Sequence, residues 1–174
     1  MIFLHYLAPL TQNPLVTAAE NGQDSVVRLL LGTNAINPNC KDSYRRTPLL
    51  LAAFKLGHRA VAQTPIDYGG ELNHIDLRGA TPLLSATENG HTPVVGLLLS
   101  MKEVNPNSRD YFGRTPLRLA AKNGHDSIGK QLVAAKATDI NCRDLQVRRT
   151  PLEVARERGH ETVVQVLRSA QYQG

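Results

Sequence analysis

One interval of 34 residues recurs along the whole of this 174-residue chain. Its first marker is the tripeptide Thr-Pro-Leu, preceded by one Asn-Pro-Leu variant: residues 13–15, 47–49, 81–83, 115–117 and, after 35 residues, 150–152. Its second marker is an aspartate: Asp42, Asp76, Asp110 and Asp144. Its third is a Gly-His pair at nearly the same spacing: 57–58, 90–91, 124–125 and 159–160. Because three markers stay in phase, we expect stacked copies of one unit rather than a single central core.

Each repeat contains the local signals for two short helices joined by a tight turn. The threonine is a favourable N-cap because its hydroxyl accepts from a free N–H of the first turn, and proline suits the first helical position, where no hydrogen bond is lost. In the fourth repeat a helical stretch follows at residues 117–121, and Gly124 can adopt the left-handed conformation that ends a helix. Residues 94–99 show the second helix, and residues 105–113 show the extended turn that leads to the next unit. The predicted fold class is all-α.

With this interval and the Thr-Pro-Leu start, the chain resembles the ankyrin-repeat family over roughly residues 9–174. Its Asn-Pro-Asn-Ser-Arg-Asp linker is similar to those of large fungal ankyrin arrays. The resemblance implies an α-solenoid of helix-turn-helix units with β-hairpin or extended turn tips. We expect five repeats, the first and last atypical, in an array over residues 11–174 with these approximate bounds: 11–44, 45–78, 79–112, 113–147 and 148–174. Residues 1–10 either cap the first repeat, through Phe3, Leu4, Tyr6 and Leu7, or are the stub of a preceding repeat.

Repeat two departs most from the pattern. Arg45 stands where the third and fourth repeats have a glycine, so we expect a distorted turn there. Pro65 stands where a core leucine is expected, and a proline inside a helix costs about 3 kcal/mol. The second helix of this repeat, which begins at Arg59, is therefore predicted to stop near Thr64. In the last repeat Arg168 replaces a leucine, which suits the polar outer face at the end of an array.

Three features that could carry chemistry have simpler explanations in the repeat. Residues Gly124 to Lys130 match the G-x-x-x-x-G-K pattern, but Gln131 stands where a phosphate-binding loop has serine or threonine, and no strand precedes it. The four Gly-His histidines share one repeat position, and stacked helices are about 10 Å apart, too far for neighbours to share a zinc ion. Cys40 and Cys142 lie three repeats apart, whereas a disulfide needs Cα atoms within about 7 Å. We therefore expect no catalytic residue, metal or cofactor, and a protein that is not an enzyme.

The resemblance also implies where a partner would bind. In ankyrin proteins the variable contact positions lie at the turn tips and at the end of the first helix of each repeat. In this sequence those positions give nine candidates: Tyr44, Arg46, Phe54, Leu77, Arg78, Tyr111, Phe112, Arg114 and Lys122. They combine aromatic residues with arginine, which is the composition of interaction hot spots, and the adjacent Tyr111 and Phe112 are the strongest pair.

The formal net charge of +5 favours a protein partner with an acidic or mixed surface. The alternative is RNA or DNA bound by the row of Arg46, Arg78 and Arg114, although Glu20 and Glu88 interrupt that surface. Nucleotide hydrolysis through Gly124 to Lys130 is a remote third function. The chain has no run of about 18 apolar residues, and its short apolar start lacks the positive region of a signal peptide. We expect an intracellular protein, cytoplasmic or nuclear, with no small-molecule substrate and no membrane contact.

Overall fold

A computed structural model describes residues 13–33, 35–55, 57–135, 137–145 and 148–172. These residues form ten helices and no strand. The helices come in five pairs: α1 (Pro14–Glu20) and α2 (Asp24–Gly32), α3 (Pro48–Lys55) and α4 (Arg59–Asp67), α5 (Pro82–Glu88) and α6 (Thr92–Leu99), α7 (Pro116–Asn123) and α8 (Asp126–Ala134), α9 (Pro151–Arg158) and α10 (Glu161–Gln171). The all-α prediction is confirmed, and every first helix starts at the proline of the repeated tripeptide.

The caps of the first helices are those that the sequence predicts. Thr81 Oγ1 accepts from the Leu84 N–H and Thr115 Oγ1 from the Arg118 N–H, both at 3.3 Å. In α9 the cap is reciprocal, because the Thr150 N–H also donates to Glu153 Oε2 at 2.7 Å. Gly124 ends α7 with a φ of 69°. These contacts satisfy helix-end groups that would otherwise lack partners, so helices of only seven or eight residues can form.

The helices stack in two rows. The first helices (α1, α3, α5, α7 and α9) pack in sequence against one another, and the second helices (α2, α4, α6, α8 and α10) form the other row. One repeat position that is always alanine lets the first helices approach closely, and all five of its residues are buried: Ala18, Ala52, Ala86, Ala120 and Ala155. The leucine of each tripeptide completes this core. Each unit thus hides the apolar face of its neighbour, as expected for a solenoid.

The tips between repeats are tight extended turns, tied to one another through the backbone. Within a tip, the Asp110 N–H donates to the Arg114 carbonyl at 3.2 Å. Between tips, the Tyr111 N–H donates to the Arg78 carbonyl at 3.1 Å, and the Leu77 N–H donates to the Tyr44 carbonyl at 3.2 Å. The expected β-hairpin is not seen in the described residues, and the extended-turn alternative describes these tips.

Two predictions for repeat two are wrong. The turn at Arg45 is not distorted: Arg45 adopts a φ of 61°, as the equivalent glycines do, and the Asp42 N–H still reaches the Arg46 carbonyl at 3.1 Å. Helix α4 does not stop near Thr64 but continues through Pro65 to Asp67. Pro65 lies in the last turn and is buried, and the Gly70 N–H closes the helix end on its carbonyl at 2.8 Å. Burial of the ring and this terminal hydrogen bond offset the one hydrogen bond that the proline removes.

Arg168 is exposed on α10, the last helix in the described part of the chain. At the other end, the predicted role of Phe3, Leu4, Tyr6 and Leu7 lies outside the described residues. The longest described helix has 11 residues, whereas about 20 are needed to cross a bilayer. No helix in the described part of the chain could therefore span a membrane.

Candidate partner-binding surface

The turn tips place four apolar side chains of the predicted set in solvent. Tyr44, Leu77, Tyr111 and Phe112 are 60%, 53%, 63% and 45% exposed. The backbone bonds between successive tips fix their order, and we call these four residues the tip ridge. The Tyr111 ring lies against Gly79, so closely that a Cβ built on that glycine would be 2.7 Å from it. The Tyr111 side chain is thus largely exposed to solvent and also packs against Gly79 of the preceding tip.

The arginines of the predicted set are held by carboxylates of the chain itself. Arg46 Nε lies 2.6 Å from Asp42 Oδ2, and Arg114 Nε lies 2.6 Å from Asp110 Oδ2. Glu88 forms ion pairs with two arginines: its Oε2 lies 3.7 Å from Arg78 Nη1, and its Oε1 lies 3.3 Å from Arg114 Nη1. The row of arginines is therefore largely neutralised, which weakens the nucleic-acid alternative because that binding needs free cations.

The repeated aspartate, which the sequence marked only as a spacing, organises each tip. Asp110 is buried, and its Oδ1 accepts from the Phe112 N–H at 3.0 Å and from the Arg114 N–H at 2.8 Å. Asp76 does the same for the Arg78 N–H at 2.7 Å and the Ala80 N–H at 2.9 Å. One buried carboxylate thus fixes both the backbone of the turn and the arginine beside it.

Aromatic rings lie next to these arginines. The centroid of the Phe54 ring lies 5.9 Å from the guanidinium carbon of Arg46 and 5.7 Å from that of Arg78. Arg46 also lies 5.0 Å from the Tyr44 ring, and Arg114 lies 5.2 Å from the Phe112 ring. These are cation–π distances, so tips and first helices form one continuous surface of aromatic and charged groups.

A cavity of about 360 Å³ opens on this surface between the fourth and fifth repeats. Of the predicted residues it brings together Phe112, Arg114 and Lys122. It adds Glu157 and Arg158, which lie at the end of a first helix where the sequence also predicts contacts, and three residues that sequence reasoning missed: Arg118, Arg149 and Val154. The signal available in the sequence was the residue that directly follows the tripeptide, because Arg118 stands there in place of the leucine of the two preceding repeats.

Three of the four Gly-His histidines have the structural role that the repeat predicted. The rings of His91, His125 and His160 each reach back one repeat, where Nε2 donates to the carbonyl of Phe54 at 3.2 Å, of Glu88 at 3.4 Å, and of Lys122 at 3.1 Å, respectively. Each ring therefore ties the end of one first helix to the next repeat. Among the described residues, no group of three potential ligands could hold a metal ion.

The linker position that holds Cys142 is also structural. Cys142 Sγ lies 3.0 Å from Thr115 Oγ1, as Ser108 Oγ lies 3.1 Å from Thr81 Oγ1 one repeat earlier. Burial raises the pKa of the Cys142 thiol, although the hydrogen bond to Thr115 opposes the shift. Cys40 and Cys142 are free cysteines, as their three-repeat separation predicted.

The glycine-lysine segment does not form a phosphate-binding loop. Helix α8 begins at Asp126 and includes Gly129 and Lys130. The Gly129 N–H donates to the His125 carbonyl at 2.8 Å, so it is not available to a phosphate. A nucleotide site at this segment, the remote third function, has no geometric basis.

Comparisons with known proteins agree with this architecture. A family model described as ankyrin repeats (3 copies) matches residues 3–76, 57–144 and 105–173. The chain is also similar to a protein of Dictyostelium discoideum named 26S proteasome non-ATPase regulatory subunit 10, with 39% identity over 89 residues. That alignment covers 51% of this chain and 38% of the relative, so the chain matches well under half of that protein's length.

Proposed function

The chain belongs to the ankyrin-repeat family, and we propose that it is a non-catalytic scaffold that binds a partner protein through the tip ridge and the adjoining surface of the first helices. The observation that carries the proposal is the tip ridge itself, in which Tyr111 and Phe112 are exposed side by side on a rigid turn. Exposed aromatic residues on a fixed backbone lose little conformational freedom on binding, which favours affinity.

The similarity to a proteasome subunit supports a protein partner. A subunit contacts other protein chains, and that relative is named as one. Subunits of the 26S proteasome are therefore the first candidates to look for, as a proposal for this chain. An intracellular location, cytoplasmic or nuclear, remains a prediction that accompanies it.

A quantitative affinity capture tests the proposal. The purified chain, immobilised, is incubated with lysate beside Tyr111→Ala/Phe112→Ala and a matched control, Leu29→Ala/Tyr172→Ala. The control residues are 71% and 90% exposed but lie on α2 and after α10, away from the ridge. A hot-spot side chain contributes about 2 kcal/mol or more, so we expect the ridge variant to lose a specific protein by roughly 30-fold.

Thermal unfolding of all three proteins is the control that checks whether the fold is retained. Equal capture of every specific protein by wild type, ridge variant and control would contradict binding through the ridge. Loss with the control but not with the ridge variant would place the interface on the second helices instead.

The nucleic-acid alternative is tested on the same material. Neutralisation of Arg46, Arg78 and Arg114 by carboxylates predicts weak binding to single-stranded and duplex oligonucleotides. Tight binding to either, with a steep dependence on salt concentration, would favour a nucleic-acid function over a protein partner.

A further inference from the structure

We propose that the cavity between the fourth and fifth repeats binds carboxylate side chains of an acidic segment in the partner protein. This inference rests on the proposed scaffold function and specifies the chemistry of its partner. We call the site the Lys122 cavity, defined by six of its lining residues: Phe112, Arg114, Arg118, Lys122, Arg149 and Arg158.

The repeats themselves provide the reference for this cavity. The repeat position six residues after the proline that starts each first helix carries Glu20, Phe54, Glu88, Lys122 and Glu157 in successive repeats. In the first and third repeats this glutamate neutralises neighbouring arginines. Glu20 lies 3.9 Å from Arg46, and Glu88 forms ion pairs with Arg78 and Arg114. The fourth repeat places a cation where the third and fifth have a carboxylate. A carboxylate from a partner would supply the group that this repeat omits.

The charges around the cavity are unbalanced. Five cationic side chains line it, with one carboxylate, Glu157, which is paired with Arg149. Arg114 is held by Asp110 and Glu88. Within the described part of the chain, neither Lys122 nor Arg158 forms an ion pair. Two positive charges are thus left without a counter-charge on one wall of the array.

The surroundings strengthen the attraction of this site for an anion. Phe112 and Val154 are apolar parts of the lining, and a partly enclosed site with apolar walls weakens the screening by water. Arg118 is paired with Asp144, and its side chain is only 12% exposed. Its Nε has no hydrogen-bond partner in the described residues. Because Asp144 balances its charge, Arg118 contributes a guanidinium held in a fixed position rather than a third unpaired charge.

The size of the cavity fits side chains rather than a whole folded surface. Its 360 Å³ is near the lower end of the roughly 300–1,000 Å³ of ligand sites, or about a dozen water molecules. Phe112 belongs to both the tip ridge and the cavity wall. A partner segment with an acidic residue next to an apolar one would therefore engage both surfaces at once.

Fluorescence anisotropy with labelled peptides tests the proposal. The probe is an eight-residue peptide with four central glutamates, compared with versions carrying four glutamines or four phosphoserines and with a single-stranded oligonucleotide of equal length. The informative variant is Lys122→Glu, because glutamate already occupies this position in three repeats and is compatible with the fold. Its matched control is Lys130→Glu, an exposed residue of α8 with the same change of charge.

We expect the glutamate peptide to bind the wild-type chain, and Lys122→Glu to weaken that binding at least tenfold, because the change removes a charge-assisted contact and places a like charge beside the peptide. Lys130→Glu should stay within about twofold of wild type, and Lys122→Gln should fall between the two. Binding of the glutamine peptide as tightly as the glutamate peptide, or equal losses from both charge reversals, would overturn the assignment. So would tighter binding of the phosphoserine peptide or of the oligonucleotide.

The capture experiment separates this proposal from the proposed function. If the ridge variant loses the natural partner while Lys122→Glu retains it fully, the scaffold function stands and the cavity proposal fails. If neither variant loses a partner, both proposals fail.

Discussion

The contact between each Gly-His pair and the preceding repeat can be measured by comparing two glycines at equivalent positions. Gly124 and Gly159 both end a first helix in the left-handed conformation, with φ values of 69° and 75°. The two glycines differ in their surroundings. A Cβ added to Gly124 would be 2.6 Å from His160 Nδ1, whereas a Cβ added to Gly159 meets nothing within 4 Å. Alanine at either site imposes the same backbone strain, but only at Gly124 must the ring of the next repeat move.

The magnitudes can be worked out from these geometries. A left-handed conformation costs an L-residue roughly 1–2 kcal/mol, and alanine returns about 0.4–1 kcal/mol by restricting the unfolded chain. We therefore expect Gly159→Ala to lower the free energy of unfolding by about 1 kcal/mol. Gly124→Ala should also break the 3.1 Å hydrogen bond from His160 Nε2 to the Lys122 carbonyl. That adds roughly 1–2 kcal/mol, because a partly buried carbonyl is left without its donor.

Urea denaturation followed by circular dichroism gives both differences, and a double-mutant cycle isolates the contact. When His160→Ala removes the ring, Gly124→Ala should cost no more than Gly159→Ala does in the wild-type chain. The expected coupling energy between positions 124 and 160 is about 1–2 kcal/mol. Equal costs at the two glycines, together with no coupling, would refute the inference that these histidines join neighbouring repeats.

Two further perturbations test the caps and the tips. Asp110→Ala should destabilise the chain by about 2–4 kcal/mol in urea denaturation, because it leaves the Arg114 guanidinium and two tip amides without their buried acceptor; a loss under about 1 kcal/mol would show that the carboxylate is not needed to hold the tip. Glu153→Gln tests the reciprocal cap, where hydrogen bonds from Thr150 hold the pKa of Glu153 below its ordinary value of 4.5. A carboxyl group whose pKa is lowered in the folded state stabilises the fold at pH values above the ordinary pKa, and this stabilisation is lost as the pH falls through the folded-state pKa. The wild-type chain should therefore be more stable than the variant at about pH 7 and lose this advantage in acid. A difference that is independent of pH would contradict that assignment.

The repeat predicted the helices so closely because its signals are local. Thr115 caps α7 through an N–H three residues away, and Gly124 ends the same helix through its own backbone conformation. Such short-range rules apply equally in every copy. A sequence that repeats them in phase therefore specifies both the helices and the way that they stack.

The errors occurred where tertiary contacts outweigh a local preference. The turn at Arg45 is held by Asp42, whose Oδ1 accepts from the Tyr44 N–H at 2.9 Å and from the Arg46 N–H at 2.7 Å, and by a hydrogen bond from His74 Nε2 to the Arg45 carbonyl at 2.8 Å. Together these exceed the roughly 1–2 kcal/mol that a left-handed arginine costs. The free-energy cost of a proline is likewise that of a helix interior, whereas Pro65 lies in the final turn of α4 and is buried.

The sequence predicted which residues lie on the candidate surface, but not which of their charges are paired with one another. The sequence shows that Arg78, Arg114 and Glu88 fall on the same edge, but not that both arginines meet one carboxylate. Those pairings depend on side-chain conformations across two repeats, which no spacing rule contains. The Lys122 cavity could not be predicted as a whole for the same reason, since its lining residues come from the tips and first helices of three successive repeats.

Paired and unpaired charges are distributed unevenly along the proposed binding surface, so its two ends should contribute differently to binding. In the first three repeats the carboxylates Glu20 and Glu88 neutralise their arginines, so apolar contacts with the tip ridge should dominate there. In the fourth and fifth repeats, Lys122 and Arg158 remain unpaired in the described chain, so electrostatic attraction should be strongest near the end of the array. A partner with an acidic segment would then be oriented before its apolar residues reach the ridge, because charge acts over a longer range than contact. Phe112 lies where the two surfaces meet, so its removal should affect both steps, whereas Lys122→Glu should weaken the electrostatic step and leave the apolar contacts of the tip ridge intact.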